Sequence, residues 1–282
     1  MKTITVSNVK GGVAKTTTAA TLAVGLNRQG RRVLLIDTDP QTNLTECFMD
    51  EPEDGELTLY HLYKGEKNID ELKRTIREGF DIVPGDFDLC MADLEFQAKT
   101  PAGFKVMRRA LEQVKDQYDY AIFDTPPNLG ILTLNALIAS DYVISPMASE
   151  KFSLKAIRLL KRAIDAAHDE NEVLEVIGIL VTKYKERTIL ARYLNKNLLD
   201  AADLLDTTLF ESRIREAEAI PQSQYISESI FDYAPKADVT KDYKAFVKEF
   251  MNRVGDEVED EEEDTEADTT EVAEEAVERD GE

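Results

Sequence analysis

The sequence contains no tryptophan and only two cysteines, Cys47 and Cys90, which stand 43 residues apart. Two isolated cysteines exclude a disulfide framework and a zinc knuckle, so a reducing compartment is the expected setting. No run of 18 or more apolar residues is present, which excludes a membrane-spanning helix of the usual length. The first residues, MKTITVSN, also lack the basic and apolar regions of a secretory signal. We therefore expect a cytoplasmic protein.

Basic residues are outnumbered, 34 Lys and Arg against 56 Asp and Glu, but the excess is concentrated in one segment. Residues 255–282 hold 16 acidic residues and one basic residue, which leaves residues 1–254 with a balance of only −7. That segment has no aromatic residue, so it cannot bury enough apolar surface to offset its ordering entropy. We expect one domain over residues 1–254 and an acidic disordered tail over 255–282. Such a tail can keep a protein hydrated at high salt or compete with DNA, and the sequence leaves both readings open.

Apolar runs typical of strands alternate with segments of helical periodicity along the first 254 residues. The expected strands are residues 2–7, 32–37, 81–84, 118–124, 142–146 and 173–182. The expected helices are residues 16–29, 103–115, 135–139, 153–168, 188–199 and 240–254. Alternation of this kind favours an α/β fold with a doubly wound, mostly parallel sheet and helices on both faces.

A glycine pair flanked by lysines separates the first expected strand from the first expected helix, in the run KGGVAKTT at residues 10–17. Backbone N–H groups in such a loop point at an anion, and glycines let the backbone approach it closely. Lys15 would supply a cation to the β- and γ-phosphates, the Thr16 hydroxyl a ligand for Mg²⁺, and Thr17 a further hydrogen bond. The run therefore predicts a nucleotide phosphate site.

The ordinary P-loop pattern, GxxxxGK[ST], fails here because Val9 and Ala14 stand at its two glycine positions. The form KGGxxK[TS][TS] fits, and in it the chain resembles the ParA/MinD group of P-loop ATPases. That resemblance implies that the signature lysine, Lys10, reaches across a dimer to the partner's phosphates. It implies ATP contacts from Lys10, Gly11, Gly12, Val13, Ala14, Lys15, Thr16 and Thr17. Ala14 replaces the glycine common in the family.

Two expected strands end in carboxylates, in the runs RVLLIDTDPQ and YDYAIFDTPP. Parallel strands deliver such groups to one edge of the sheet, beside the phosphates. An apolar strand ending in Asp124 is the Walker B arrangement, which with Thr16 holds Mg²⁺, the carboxylate usually through a water. The resemblance assigns Asp39 to the attacking water and Pro126 and Pro127 to the γ-phosphate switch, and we expect Asp37 near the metal or capping the turn. The expected catalytic residues are Lys10, Lys15 and Asp39.

The resemblance also places an adenine pocket at the end of a later strand and in a loop that often reads PRN. We expect Thr182 and Arg213 there, although Glu211 and Arg213 stand where the family has Pro and Asn. It further implies non-specific DNA binding, for which Lys155, Arg158, Arg187 and Arg215 are the candidates. Acidic residues are interspersed among them, so an ordinary solvated charged face is the competing interpretation.

Within this group the chain looks closest to the ParA/Soj partition ATPases. The implied activity is slow, partner-stimulated ATP hydrolysis with Mg²⁺ by an ATP-dependent homodimer, which binds nucleoid DNA and a ParB-like adaptor. One alternative is a MinD-like membrane ATPase, because residues 240–254 form an amphipathic segment, but the acidic tail that follows would be repelled by anionic lipid. Another is ParA-like positioning of a protein cargo. An iron–sulfur relative would need paired cysteines, and Cys47 and Cys90 instead suit small core positions.

Overall fold

The computed structural model describes residues 1–53, 55–96, 101–149, 154–184 and 190–258. An eight-stranded sheet in the order β3-β4-β2-β5-β1-β6-β7-β8 forms its centre. All neighbouring strands of this sheet run parallel except β3 and β4, which confirms a doubly wound, mostly parallel architecture. The strands are β1 Lys2–Val6, β2 Val33–Asp37, β3 Arg74–Arg77, β4 Phe80–Val83, β5 Tyr120–Asp124, β6 Tyr142–Ala148, β7 Glu175–Tyr184 and β8 Leu209–Arg215.

Helices cover both faces of the sheet because successive strand residues point to opposite sides. In β2, Val33 and Leu35 pack with α1 and α12, whereas Leu34 and Ile36 pack with helices of the other face. All five residues of β2 are buried, as expected for a strand covered on both sides. The helices are α1 Lys15–Arg28, α2 Asn43–Glu46, α3 Leu59–Tyr63, α4 Ile69–Leu72, α5 Leu89–Phe96, α6 Val106–Val114, α7 Ile131–Ile138, α8 Leu154–His168, α9 Leu190–Leu204, α10 Ala219–Tyr225, α11 Ile230–Tyr233 and α12 Asp238–Arg253.

Two strands differ from the sequence-based expectation. The stretch 210–215, expected as a loop, belongs to the edge strand β8, and residues 74–77 form the antiparallel strand β3. Both are edge strands with partly exposed, charged side chains, so neither shows the continuous apolar run that identifies a central strand. The expected helix over residues 103–115 begins as the 3₁₀ turn Pro101–Lys105 and continues as α6.

The last helix, α12, packs its apolar face into the core. Tyr243, Phe246 and Phe250 are each at most 1% exposed. The Phe210 ring of β8 meets Phe246 edge-on at 5.1 Å. The amphipathic pattern of residues 240–254 therefore reflects packing on the domain. No helix in the described part of the chain is long and apolar enough to cross a bilayer.

The chain remains attached to the domain beyond residue 254, where we expected the tail to begin. The Asp256 carboxylate lies 3.2 Å from the Arg31 guanidinium and accepts a hydrogen bond from the Tyr120 hydroxyl. Arg31 also donates to the Glu257 carbonyl at 2.7 Å, and Val258 packs against the core. The domain therefore includes residues 255–258, while residues 259–282 lie outside the described part of the chain.

Gly178 in β7 is required by close packing. A Cβ at this position would lie 2.5 Å from Phe210 Cε2 and 2.8 Å from Arg253 Nη1, whose guanidinium stacks on the same ring. We expect Gly178→Ala to lower the free energy of unfolding by about 1–3 kcal/mol, the usual cost of overpacking a filled core. Urea denaturation of the apo protein measures this change.

Gly11→Ala is the matched control, because a Cβ there meets nothing within 4 Å and it should leave stability nearly unchanged. Combining Gly178→Ala with Phe210→Leu should cost less than the sum of the two single changes. Equal effects of the two glycine substitutions would contradict the packing argument.

Candidate nucleotide-binding and hydrolysis site

The loops that follow β1, β2, β5 and β7 meet at the carboxyl edge of the sheet and enclose a cavity of about 690 Å³. This is the edge at which open α/β sheets bind ligands. Asp39, Pro127 and the predicted phosphate loop, except for Lys10 and Val13, line the cavity. The residues that line it are Gly11, Gly12, Ala14, Lys15, Thr16, Thr17, Asp39, Gln41, Asn43, Glu46, Cys47, Pro127, Thr182, Lys183, Ile214, Arg215, Glu216, Ala217, Glu218, Ile220, Pro221, Gln224, Tyr225 and Tyr243.

The phosphate loop is held open by hydrogen bonds at both ends. The Asn8 amide donates to the Pro146 carbonyl at 2.8 Å, and its oxygen accepts from the Lys10 backbone N–H at 3.0 Å. At the other end the Thr182 hydroxyl donates to the Val13 carbonyl at 3.0 Å. Thr182, expected as an adenine contact, thus lies at the cavity wall and also anchors the loop.

Two residues of the loop adopt left-handed backbone conformations, Gly12 with φ +71° and Ala14 with φ 66°. Glycine adopts this region freely, whereas an L residue with a Cβ is strained there. The loop geometry that the family builds with glycine is therefore kept by Ala14 at a cost in backbone energy. Ala14 is also the residue before α1, and its carbonyl accepts from the Thr18 N–H at 2.9 Å.

Lys15 begins α1 and carries the one buried lysine ammonium described in the cavity. Its side chain is 7% exposed, and Nζ lies 3.4 Å from the Lys10 carbonyl. Burial lowers the pKa of Lys15, while the carboxylates of Asp124 and Asp39 act in the opposite direction. A buried cation next to two carboxylates and open to a cavity is suited to receive phosphate charge.

Asp124 is the last residue of β5, and the two oxygens of its carboxylate differ in their hydrogen bonding. The Thr16 hydroxyl donates to Oδ2 at 2.6 Å, while the buried Oδ1 has no hydrogen-bond partner among the described residues. Burial, and then the neighbouring Asp37 carboxylate, raise the pKa of Asp124 well above its usual value. An orphaned buried carboxylate oxygen beside a hydroxyl fits a hard divalent cation such as Mg²⁺, bound directly or through water. Thr16 and Asp124 are thus brought together as predicted.

Asp37 and Asp39 have different surroundings, although they are two residues apart. Asp39 is 7% exposed and lines the cavity, and its Oδ1 accepts from the Gln41 N–H at 3.0 Å. Asp37 is fully buried, faces Asp124 across the β2–β5 pairing and accepts from Thr45. It does not line the cavity, but it accepts hydrogen bonds from the loop after β2 and also lies beside Asp124, so the structure agrees with both expected positions.

The switch segment and the two cysteines also have defined places. Pro126 is buried behind the site, whereas Pro127 is exposed and lines the cavity. Cys47 and Cys90, both expected at core positions, are only half-buried. Cys90 lies on α5, and Cys47 forms part of the cavity wall. Burial raises the pKa of the Cys47 thiol to about 12, so the thiol stays protonated at neutral pH.

The apolar end of the cavity consists of residues that sequence reasoning missed. They follow β8 in α10 and include Ile220, Pro221, Gln224 and Tyr225. Gln224 joins this helix to the phosphate loop by donating to the Thr17 hydroxyl at 3.2 Å. No periodic or motif signal marks this segment, because its role depends on a contact between residues 207 positions apart.

Several predicted residues lie elsewhere. Arg213 does not line the cavity, and its guanidinium covers the Tyr184 ring at 5.1 Å. Arg215 lines the cavity, but its guanidinium binds Asp242 through two nitrogens, at 2.7 and 2.9 Å. Lys155 and Arg158 are exposed on α8. Arg187 lies outside the described residues.

Ala14→Gly should raise the stability of the apo protein by about 0.5–1 kcal/mol, because it removes the strain of a left-handed alanine. Urea denaturation without nucleotide measures the change. Ala19→Gly is the control: Ala19 lies buried inside α1, where glycine should destabilise by about 1 kcal/mol. The same sign for both substitutions would contradict the assignment of strain to Ala14.

The buried Asp37 carboxyl should make the apo protein lose stability as pH rises. Burial raises the pKa of Asp37 from 3.8 to about 6, so the folded state holds this proton more tightly than the unfolded chain does. Its contribution is therefore lost between about pH 4 and pH 6, by up to about 3 kcal/mol. The free energy of unfolding of the wild type, minus that of Asp37→Asn, should fall across this range. Taking this difference removes any pH-independent loss of stability that Asp37→Asn causes through its lost hydrogen bonds. A difference that stays constant or rises between about pH 4 and pH 6 would contradict the prediction.

Comparisons with known proteins agree with this geometry. A family model described as an AAA domain matches residues 1–176. The chain is 35% identical over 256 residues to the chromosome-partitioning ATPase Soj of Thermus thermophilus, covering 90% of this chain and 97% of that protein. It is 30% identical over 257 residues to the chromosome partitioning protein ParA of Caulobacter vibrioides, covering 90% and 95%.

A solved structure extends the likeness to the ligands. Cobyrinic acid a,c-diamide synthase from Mycobacterium smegmatis, with a bound ATP analogue and magnesium, is similar with a TM-score of 0.78 at 29% identity. The match covers 90% of this chain and 96% of that chain. ATP and Mg²⁺ are accordingly the cofactors, and nucleoside triphosphate hydrolysis is the activity. Family model, relatives and site geometry agree, and the chain belongs to the ParA/Soj family of P-loop ATPases.

Proposed function

We propose that this protein is an ATP-gated dimerising ATPase that binds DNA without sequence preference and partitions DNA with a ParB-like adaptor. The observation that carries the proposal is the phosphate loop with its additional lysine, Lys10, next to an exposed glycine pair. A Cβ at Gly11 or Gly12 would meet nothing within 4 Å, so the loop leaves room for phosphates and for a second lysine. Relatives that carry the names Soj and ParA are chromosome-partitioning proteins.

Hydrolysis by this site requires alignment and neutralisation of charge rather than a covalent intermediate. Lys15 neutralises phosphate charge. Thr16 and Asp124 would hold Mg²⁺, which would supply further positive charge to the phosphates. Asp39, at the cavity surface, aligns the attacking water. Lys10 of a second copy completes the set from across the dimer.

Slow basal turnover follows because the active site is shared between two copies of the chain. One cation of the site comes from the other copy, so a monomer has an incomplete active site. ATP thereby favours the dimer, and hydrolysis releases it. An adaptor that stabilises the productive arrangement of the dimer would raise the rate, as proposed for a ParB-like partner.

The best-supported DNA surface is the exposed side of α8. Lys155, Arg158 and Arg162 are all exposed there, at helical spacing that puts them on one face. Lys161 on the same helix is paired with Asp165 at 2.5 Å. Arg215 is less suited, because it would have to leave Asp242 and Asp238 to meet a phosphate. We therefore assign nucleoid binding to α8, with Arg215 secondary.

Membrane cycling of the MinD kind has less support. Its expected anchor, the amphipathic segment 240–254, has its aromatic face buried against α1 and β8 as part of α12. Exposing Phe246 and Phe250 to lipid would require removing them from the core. Positioning of a protein cargo by the same dimer cycle differs only in the adaptor that the dimer recruits.

The test is DNA retention measured with ATP, ADP or no nucleotide. We expect ATP-dependent retention that Lys10→Ala abolishes and that Asp39→Ala preserves, because the first change prevents the dimer and the second traps it. Lys64→Ala, at an exposed lysine far from the loop in sequence, is the charge-matched control. Retention that is the same with and without ATP, or binding to anionic vesicles in place of DNA, would contradict the proposal.

The α8 assignment has its own measurement in the same assay. Arg158→Ala combined with Arg162→Ala should weaken DNA binding and reduce the slope of log affinity against log salt by about 2, since each lost phosphate contact releases about one counterion fewer. ATP turnover without DNA should not change. An unchanged salt slope would remove α8 from the DNA surface.

A further inference from the structure

A buried hydrogen-bond cluster at the end of β2 lies behind the hydrolysis site and does not line the cavity. The Asp37 carboxylate accepts from the Asp39 N–H at 3.1 Å, the Thr45 N–H at 2.8 Å and the Thr45 hydroxyl at 2.7 Å. Asp37 and Thr45 are both fully buried, and neither lines the cavity. The hydrogen bonds described for the Asp37 carboxylate thus come from uncharged donors in the loop after β2 and in helix α2, which follows that loop.

Thr45 connects this cluster to a second strand. Its hydroxyl oxygen, while donating to Asp37, accepts from the Gly85 N–H at 3.1 Å, just after β4. A Cβ at Gly85 would lie 3.1 Å from the Asp37 carbonyl oxygen and 3.2 Å from its Cγ. Glycine permits this close approach, so Asp37, Thr45 and Gly85 form a clamp that joins the ends of β2 and β4.

The clamp holds the backbone of the loop that carries Asp39, together with Thr38, whose N–H and hydroxyl donate to the Asp124 carbonyl. The backbone N–H of Asp39 is bound to Asp37, and its carbonyl accepts from the Thr42 N–H at 2.9 Å. The hydrogen bond described for its side chain comes from Gln41, in the same loop. The position of the Asp39 carboxylate relative to the phosphate loop therefore depends on how firmly the Asp39 loop is anchored to the sheet.

We propose that the clamp of Asp37, Thr45 and Gly85 positions Asp39 for hydrolysis, so that Thr45 controls the rate of turnover without touching nucleotide or water. The inference rests on the proposed role of Asp39. A displacement of about 1 Å at a reacting group can lower a rate by about 100-fold. Nucleotide affinity need not change, because the phosphate loop is anchored separately, by Asn8 and Thr182.

Thr45→Val tests the clamp, because it keeps the shape of the side chain and removes the hydroxyl. Turnover at saturating Mg²⁺ and ATP, and the Kd of a fluorescent ATP analogue, are measured on the full chain. We expect kcat to fall at least about 10-fold while Kd stays within about 2-fold, the sign of lost positioning rather than lost binding. Thr45→Ser restores the hydroxyl and should bring kcat back to within about 3-fold of the wild type.

Gly85→Ala is the second variant, because its methyl group would press on Asp37 without removing a polar group. It should show the same fall in kcat with Kd retained, and it decides the question if Thr45→Val does not fold. Adding Thr45→Val to Asp39→Ala should slow turnover no further, since the group that the clamp positions is already absent.

The outcomes separate the two ideas. Normal turnover by Asp39→Ala would contradict the proposed role of Asp39 itself. Loss of turnover in Asp39→Ala, with normal turnover in both clamp variants, would overturn the clamp alone. A matching loss of nucleotide affinity and turnover in the clamp variants, or a failure of Thr45→Ser to restore kcat, would show a structural role only and would also overturn it.

Discussion

The site depends on two fully buried carboxylates, Asp37 and Asp124, which lie side by side at one edge of the sheet and whose charges must be compensated. Asp37 and Asp124 are direct partners in the β2–β5 pairing. Burial raises the pKa of both, and the Asp37 carboxylate raises that of Asp124 further. Like charges this close in a poorly solvated environment need compensation. Asp37 obtains it from the Thr45 loop, whereas Asp124 obtains it from Thr16, Lys15 and the divalent cation that its free oxygen fits. The apo site is thereby arranged to gain most from binding a cation and phosphate.

The phosphate loop depends on parts of the chain that are remote from it in sequence. Lys15 and Thr16 begin α1, and α1 is held on the sheet by α12, where Gly25 leaves room for Val247. A Cβ at Gly25 would lie 2.5 Å from Val247 Cγ2, so the two helices touch at this point. The C-terminal helix thus supports the N-terminal nucleotide site, which explains why its aromatic face is buried rather than available to another surface.

Strain and buried charge are concentrated where the site functions. Ala14 holds a left-handed conformation, Asp124 keeps an oxygen with no hydrogen-bond partner in the described part of the chain, and Lys15 is buried with a lowered pKa. Each lowers the stability of the apo protein, and each places a group where a phosphate or a metal ion can use it. Local rules of stability are commonly broken at functional sites for this reason. Asp37 differs, because both of its carboxylate oxygens accept hydrogen bonds from the Asp39 loop and Thr45.

Much of the fold and of the phosphate site could be predicted from the sequence. Central strands such as β2 are short apolar runs, and the glycine pair, Lys15 and the carboxylates that end strands are local patterns with direct chemical meaning. The mostly parallel pairing of the strands followed from the alternation of element types, whereas their order came only from the structure. These features depend on residues close to one another along the chain.

Tertiary structure alone decided the rest. The edge strands β3 and β8, the contact between Gln224 and Thr17, and the stacking of Arg213 on Tyr184 all depend on packing between segments far apart in sequence. Charged residues on an edge strand also conceal its period. The anchoring of the Asp39 loop through Thr45 and Gly85 is decided in the same way, since the bond joins residues 40 positions apart and no local pattern reports it.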